Sequence, residues 1–177
     1  MANDNKIEQI ATAPLSKNAL HLAGLNYSGQ TEILQEYLAS NLNEAQMLFV
    51  ADNLKILLLT RHVALSEIPS FITKENISLT TKILNQELKN KFGIDNPKIA
   101  MCALNPHAGE NGVLGREEID IINPVIEELR RYGVDFNGAF SADTLIGKAV
   151  KNYKNPDYDA YIACYHDQAL PAIKALG

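Results

Sequence analysis

Short apolar runs rich in strand-forming residues alternate with amphipathic helical stretches along this sequence, which restricts the chain to folds in which helices cover a sheet. Residues 7–13, stopped by Pro14, read as a strand, because proline confines the residue before it to extended backbone. Residues 31–42 place Ile33, Leu34, Tyr37 and Leu38 on one helical side, with Thr31 as N-cap. Residues 47–51 and 55–60 flank the turn-forming pair Asp52-Asn53 and predict a hairpin. The longest helix is predicted over 77–92, where Ile77, Thr80, Ile83, Leu84, Leu88 and Phe92 form an apolar face ended by Gly93. Strands follow at 98–104, 135–140 and 160–164, helices at 117–132, closed by Gly133, and at 144–152, and a polar surface loop at 151–159. The expected class is α/β, a three-layer α/β/α sandwich whose sheet is mixed because of the hairpin.

Composition narrows the function classes. A length of 177 residues with 46% hydrophobic and 21% charged residues is enough for one cored domain, and residues 1–177 are read as a single domain. The net charge of -5, without any cluster of Lys and Arg, argues against a nucleic-acid partner. No apolar run approaches the length of a membrane span, and the polar start Met1-Ala2-Asn3-Asp4 carries no signal-peptide core. Two cysteines, Cys102 and Cys164, both within apolar runs, make neither a disulfide framework nor a metal knuckle and read as buried strand residues. The expected compartment is the cytoplasm.

Three of the four histidines end apolar runs: Leu59-Thr60-Arg61-His62, Leu104-Asn105-Pro106-His107 and Ala163-Cys164-Tyr165-His166. Ligands of open α/β sheets collect outside the carboxyl ends of strands, so these loops can bring His62, His107 and His166 around one divalent ion. Each taken singly also reads as an ordinary loop or capping histidine. In Asn105-Pro106-His107-Ala108-Gly109-Glu110, Pro106 stiffens the loop and the glycines at 109, 112 and 115 allow close backbone approach to a ligand. Asp143 and Asp167 are candidates for orienting a histidine or relaying protons, with helix capping as the plainer role. Lys17 and Lys174 are single cations that suit either a phosphate or the solvent. Glycine-rich dinucleotide, P-loop and nucleophile-elbow motifs are absent from the sequence.

The phrase Leu104-Asn105-Pro106-His107-Ala108-Gly109-Glu110, continued by Leu114-Gly115-Arg116-Glu117-Glu118 and Asn123-Pro124, resembles the 4-hydroxythreonine-4-phosphate dehydrogenases of vitamin B6 synthesis. Thr12-Ala13-Pro14 with Lys17, Ser28-Gly29-Gln30-Thr31-Glu32, Thr60-Arg61-His62, Ala142-Asp143-Thr144-Leu145 and Tyr165-His166-Asp167-Gln168 with Lys174 are similar too, in family order over essentially the whole chain. The resemblance implies NAD(P)-dependent oxidation of 4-phosphohydroxy-L-threonine to an oxo acid that loses carbon dioxide to give 3-amino-2-oxopropyl phosphate. It implies a fold like that of isocitrate and isopropylmalate dehydrogenases. It further implies a divalent metal, zinc foremost with cobalt or magnesium as alternatives, on His62, His107 and His166, in a homodimer where the His166 position reaches the metal of the partner subunit. Substrate contacts are implied for Gln30, Thr31 and Lys174. Two departures stand out: Gln30 occupies the place of a family histidine and cannot titrate near neutrality, and family members are much longer. The chain thus corresponds to the central metal-binding, dimer-forming domain of a two-domain enzyme, and by itself is not expected to turn over NAD. Rival expectations are a non-catalytic module binding metal and phosphometabolites, and an oxidative decarboxylase of another phosphorylated hydroxy acid.

Overall fold

The computed structural model describes residues 9–27, 29–38 and 45–176. The chain divides into two compact units, Met1–Gln46 and Met47–Gly177.

In the first unit, α1 (Lys17–Leu22) starts at Ser16, whose hydroxyl accepts from the Ala19 N–H at 3.3 Å. α2 spans Gln30–Leu38. Its start differs from the expected one: Thr31 lies inside the helix instead of capping it, while residues 39–42 of the predicted helix lie outside the described residues. The expected strand at 7–13 is not formed over residues 9–13, which are irregular and exposed, and residues 7 and 8 lie outside the described residues. Pro14 only restricts φ and ψ; a strand also needs a pairing partner, which this segment does not find.

The second unit is built on a five-stranded sheet. Its strands are β1 (Met47–Ala51), β2 (Leu54–Leu58), β3 (Lys98–Cys102), β4 (Asp135–Phe140) and β5 (Ala160–Ala163), in the order β1-β2-β5-β3-β4. β1 and β2 are antiparallel, and β2, β5, β3 and β4 run parallel. The period-two pattern explains why the middle strands are apolar on both faces apart from Lys55 and Lys98: Leu57, Ile99, Met101 and Ile162 enter one core, and Ile56, Leu58, Ala100, Tyr161 and Ala163 the other. The first core is covered by α3 (Ile68–Phe71), α4 (Lys74–Phe92) and α5 (Asn123–Arg131) through Ile77, Leu84, Leu88, Ile126 and Leu129. The second is covered by α6 (Ala142–Lys151) and α7 (His166–Lys174) through Leu145, Ile146, Ala149 and Leu170. The α/β/α sandwich with a mixed sheet is therefore the observed architecture.

α4 begins at the Thr73 N-cap, whose side chain accepts from the Asn76 N–H at 3.1 Å, and ends at Gly93. The single helix expected over 117–132 is instead a π-turn, Glu118–Ile122, running into α5. Pro124 supplies the reason: it has no N–H to donate to the previous turn, and a wider turn absorbs the missing bond. Among the described residues no helix is long and apolar enough to cross a membrane.

Both cysteines are free and fully buried, one in β3 and one just after β5, and the Cys164 thiol donates to the Cys102 carbonyl at 3.4 Å. Burial pushes the Cys102 thiol up to about 12 and Cys164 upward as well. The folded chain should therefore react with thiol reagents only on unfolding. A thiol that stays protonated in the fold while the unfolded one ionises leaves stability flat below about pH 8.5. Above it, stability drops by about 1.4 kcal/mol per pH unit for each such thiol until the folded pKa is reached. Urea unfolding at pH 8 and pH 10 checks this; an unchanged midpoint together with fast native labelling would refute it.

Candidate functional site

The three strand-end histidines leave the carboxyl ends of β2, β5 and β3, which are neighbours in the sheet. Two of them meet. β-pairing continues past β2 through Leu59 N–H to the Ala163 carbonyl (2.8 Å) and Thr60 N–H to the Cys164 carbonyl (3.2 Å), and the Thr60 hydroxyl donates to that same carbonyl at 2.8 Å. These bonds tie the exit of β2 to the exit of β5, and the His62 and His166 rings stand 5.9 Å apart, centroid to centroid, tilted by 44°. His166 opens α7, and its Nδ1 lies 2.6 Å from Asp167 Oδ1. A ring nitrogen engaged by a carboxylate leaves Nε2 as the free donor atom, the tautomer that suits a metal ligand.

His107 arrives differently. Residues 107–111 all have positive φ (51°, 54°, 76°, 45° and 56°), a left-handed turn in which only Gly109 is a glycine. Left-handed backbone costs L-residues about 1–2 kcal/mol each, so this turn must be held by its surroundings. Asn105, just before it, donates its backbone N–H to Glu118 Oε1 (2.8 Å) and its side-chain amide to Glu118 Oε2 (2.9 Å) and Glu117 Oε2 (2.6 Å). The Asn105 amide holds the Glu117 carboxyl below the usual carboxylate range. Glu118 itself is 1% exposed.

His107 lines a cavity of about 510 Å³ together with Asp143, Tyr165, Asp167 and Gln168. Asp143, in the first turn of α6, accepts from the Ser141 hydroxyl at 2.6 Å. That bond foremost, then the Thr144 backbone and the nearby His107, keeps its carboxyl below the ordinary value. Asp143 and Asp167 thus face one space. Gln168 has a role that inspection of the sequence missed: its Oε1 accepts from Cys164 N–H (2.7 Å) and its Nε2 donates to the Ala103 carbonyl (2.8 Å), which fastens the exits of β5 and β3. Only its place in the Tyr165-His166-Asp167-Gln168 phrase hinted at this.

Among the described residues no group of three or more His, Cys, Asp or Glu side chains gathers around one point within a single chain, so His107 does not complete a three-ligand set with His62 and His166. The donors that do meet are of the right chemistry for zinc and related ions, being imidazoles on parallel strand ends with a carboxylate behind one of them. Lys174 is exposed at the last residue of α7, about 12 Å along the helix from His166. Gln30 and Thr31 open α2 in the first unit. There the Gln30 amide is engaged by the Thr12 hydroxyl at 2.5 Å and the Ala13 carbonyl at 2.6 Å.

Fold and site together define an open α/β protein that gathers imidazoles and carboxylates beyond the carboxyl ends of its parallel strands, the place where such sheets bind ligands. A family model described as pyridoxal phosphate biosynthetic protein PdxA matches residues 1–177, and the chain belongs to that family. A 4-hydroxythreonine-4-phosphate dehydrogenase of Pseudomonas syringae pv. tomato is 42% identical over 98% of this chain and 51% of its own length. The crystal structure of a 4-hydroxythreonine-4-phosphate dehydrogenase from Burkholderia phymatum superposes with a TM-score of 0.80 at 37% identity, covering 99% of this chain and 52% of that one. A terephthalate 1,2-cis-dihydrodiol dehydrogenase from Burkholderia xenovorans is also similar, with a TM-score of 0.73 at 28% identity over 90% of this chain and 48% of that one. The chain spans about half the length of the curated relatives it matches.

Proposed function

We propose that this chain is the metal-binding, dimer-forming part of a 4-hydroxythreonine-4-phosphate dehydrogenase that works in the cytoplasm. The whole enzyme would oxidise the secondary alcohol of 4-phosphohydroxy-L-threonine with NAD(P), and the oxo acid would lose carbon dioxide to give 3-amino-2-oxopropyl phosphate. The observation that carries this reading is the pairing of His62 with His166 at adjacent parallel strand ends, with Asp167 on the His166 ring.

His62, His107 and His166 would hold the divalent ion, with zinc favoured by an all-imidazole donor set. The resemblance gives the His166 position to the metal of the partner subunit, and a site shared between two subunits agrees with the three rings not gathering within one chain. When bound, the ion supplies Lewis-acid polarisation of the oxygen at the reacting carbon. Asp167 fixes the ring of His166 through Nδ1. Asp143, held ionised by Ser141 and lining the same cavity as His107, would take a proton there. Lys174 would neutralise a substrate anion, and Gln30 and Thr31 would hydrogen-bond its oxygens, without any proton transfer at Gln30.

Stripping the chain with chelator, adding zinc at neutral pH and counting metal by elemental analysis tests the reading. About one ion per chain, lost in His107→Ala, is expected; a folded protein that retains the same metal after that substitution would sink the ligand assignment. In the same assay Asp167→Asn should weaken zinc by about 10–100-fold, because the ring loses its carboxylate partner. Unchanged affinity would remove Asp167 from the site.

A second reading concerns substrate. Gln30 in the place of a family histidine, together with likeness to a terephthalate 1,2-cis-dihydrodiol dehydrogenase, favours a related oxidative decarboxylase acting on another phosphorylated hydroxy acid. Turnover of phosphohydroxythreonine against other phosphorylated hydroxy acids by the full-length enzyme separates the two. Saturable metal with no NAD binding in that enzyme would instead identify a binding module.

A further inference from the structure

Glu118 is a buried carboxylate that the proposed chemistry does not use. Its two oxygens are both engaged by Asn105, the residue that enters the left-handed turn, through the backbone N–H (2.8 Å) and the side-chain amide (2.9 Å). It also lies directly under the middle of that turn: a Cβ on Gly109 would stand 2.7 Å from Glu118 Oε2. One side chain thus grips the turn where it begins and supports it at its centre, and the residues between those two points are Pro106, His107 and Ala108. The π-turn that starts at Glu118 gives the carboxylate a fixed base, since the opposite end of this segment, Ile122, is fully buried in the core.

We propose that Glu118 is a positioning residue for His107: it holds residues 107–111 in the left-handed conformation and so sets the direction in which the imidazole leaves the rim of β3. A run of four non-glycine residues at positive φ does not persist unaided, and the contacts of Glu118 reach both its entry and its centre. Oxygen is required at both positions of the side chain. In Glu118→Gln the retained Oε1 still accepts from the Asn105 backbone, but the new amide NH₂ faces the Asn105 NH₂ across 2.9 Å, donor against donor. The conservative change should therefore rescue part of what Glu118→Ala loses. The consequence for metal binding rests on the reading of His107 as a ligand; the conformational role does not.

The test compares wild type, Glu118→Gln and Glu118→Ala in two assays. In the metal-free chain, amide hydrogen exchange over residues 105–112 should speed up at least about tenfold in Glu118→Ala and less in Glu118→Gln, with β2 and β5 unchanged. A general loss of stability would instead accelerate every strand, and that result overturns the proposal, as does unchanged protection of 105–112 in the folded variant. Should Glu118→Ala fail to fold, the Gln variant decides the same comparison alone. In cobalt(II) titrations followed by visible absorption, affinity should fall about 10–100-fold in the Ala variant and recover partly in the Gln variant. If His107→Ala binds cobalt as tightly as wild type, the ligand reading fails, and the exchange assay still judges Glu118.

Discussion

Gly115→Ala should destabilise the chain by about 3–5 kcal/mol, from steric overlap and from backbone strain together. Gly115 has φ of 142°, a region L-residues rarely enter. A Cβ there would stand 2.5 Å from Asn105 Cγ and 2.7 Å from its Oδ1, with Nδ2 closer still. The obstacle is not the free end of a flexible chain. The Asn105 amide is fixed by Glu117 and Glu118, so moving it breaks bonds of 2.6 and 2.9 Å and leaves the buried Glu118 short of a donor. The effect should reach function too, because the displaced amide sits at the entrance to the turn that carries His107. Urea denaturation monitored by circular dichroism checks the magnitude; a loss below about 1 kcal/mol would show that the Asn105 network rearranges freely.

Phe136→Ala should cost about 3–5 kcal/mol, the usual range for a buried aromatic truncated in a core. β4 is one of the two edge strands and pairs with β3 alone. Phe136 is the one side chain of β4 that is buried, packed among Ile99, Ile126 and Leu129 of the first core. Its carbonyl is held by Arg130 Nε at 2.6 Å, so side chain and backbone together anchor the strand to α5. Downstream, the Phe140 carbonyl accepts from Ala103 N–H at 2.7 Å, and the chain passes through Ser141 to Asp143 on the cavity wall. The cavity left at 136 should therefore loosen the approach to Asp143 as well as lower the midpoint. Phe136→Leu, which keeps most of the volume, should recover most of the loss in the same urea experiment.

Both predictions concern contacts that local periodicity does not describe, which is where inspection of the sequence stops being informative. The elements themselves were legible. The apolar face from Ile77 to Leu88 with the Gly93 stop, the Asp52-Asn53 hairpin and the strands that end near the three histidines all follow from local periodicity, whereas Phe92, expected on that face, is exposed. Over residues 9–13 the expected strand does not form, because extended backbone is a local preference whereas pairing is not. Thr31 failed as a cap because the helix recruits Gln30 ahead of it. The π-turn before Pro124 was invisible to a reading based on a uniform helical period.

The site divides along the same line. The sequence by itself determined that imidazoles stand at the ends of apolar runs and that Asp167 neighbours His166. An Asn-Pro-His phrase with flanking glycines was likewise enough to mark the loop as unusual, since residue type and adjacency are written in the chain. Tertiary structure decided which of them meet. The order β1-β2-β5-β3-β4 puts the exits of β2 and β5 side by side, so His62 finds His166 across a separation of about a hundred residues, while His107 is carried off by a left-handed turn. Gln168 as the fastening between two strand exits and Glu118 as the post beneath the turn are likewise products of packing. The physical reason is one of range. Periodicity and propensity act over a few residues, but the direction of a loop is set by hydrogen bonds to side chains that only the completed fold brings within about 3 Å.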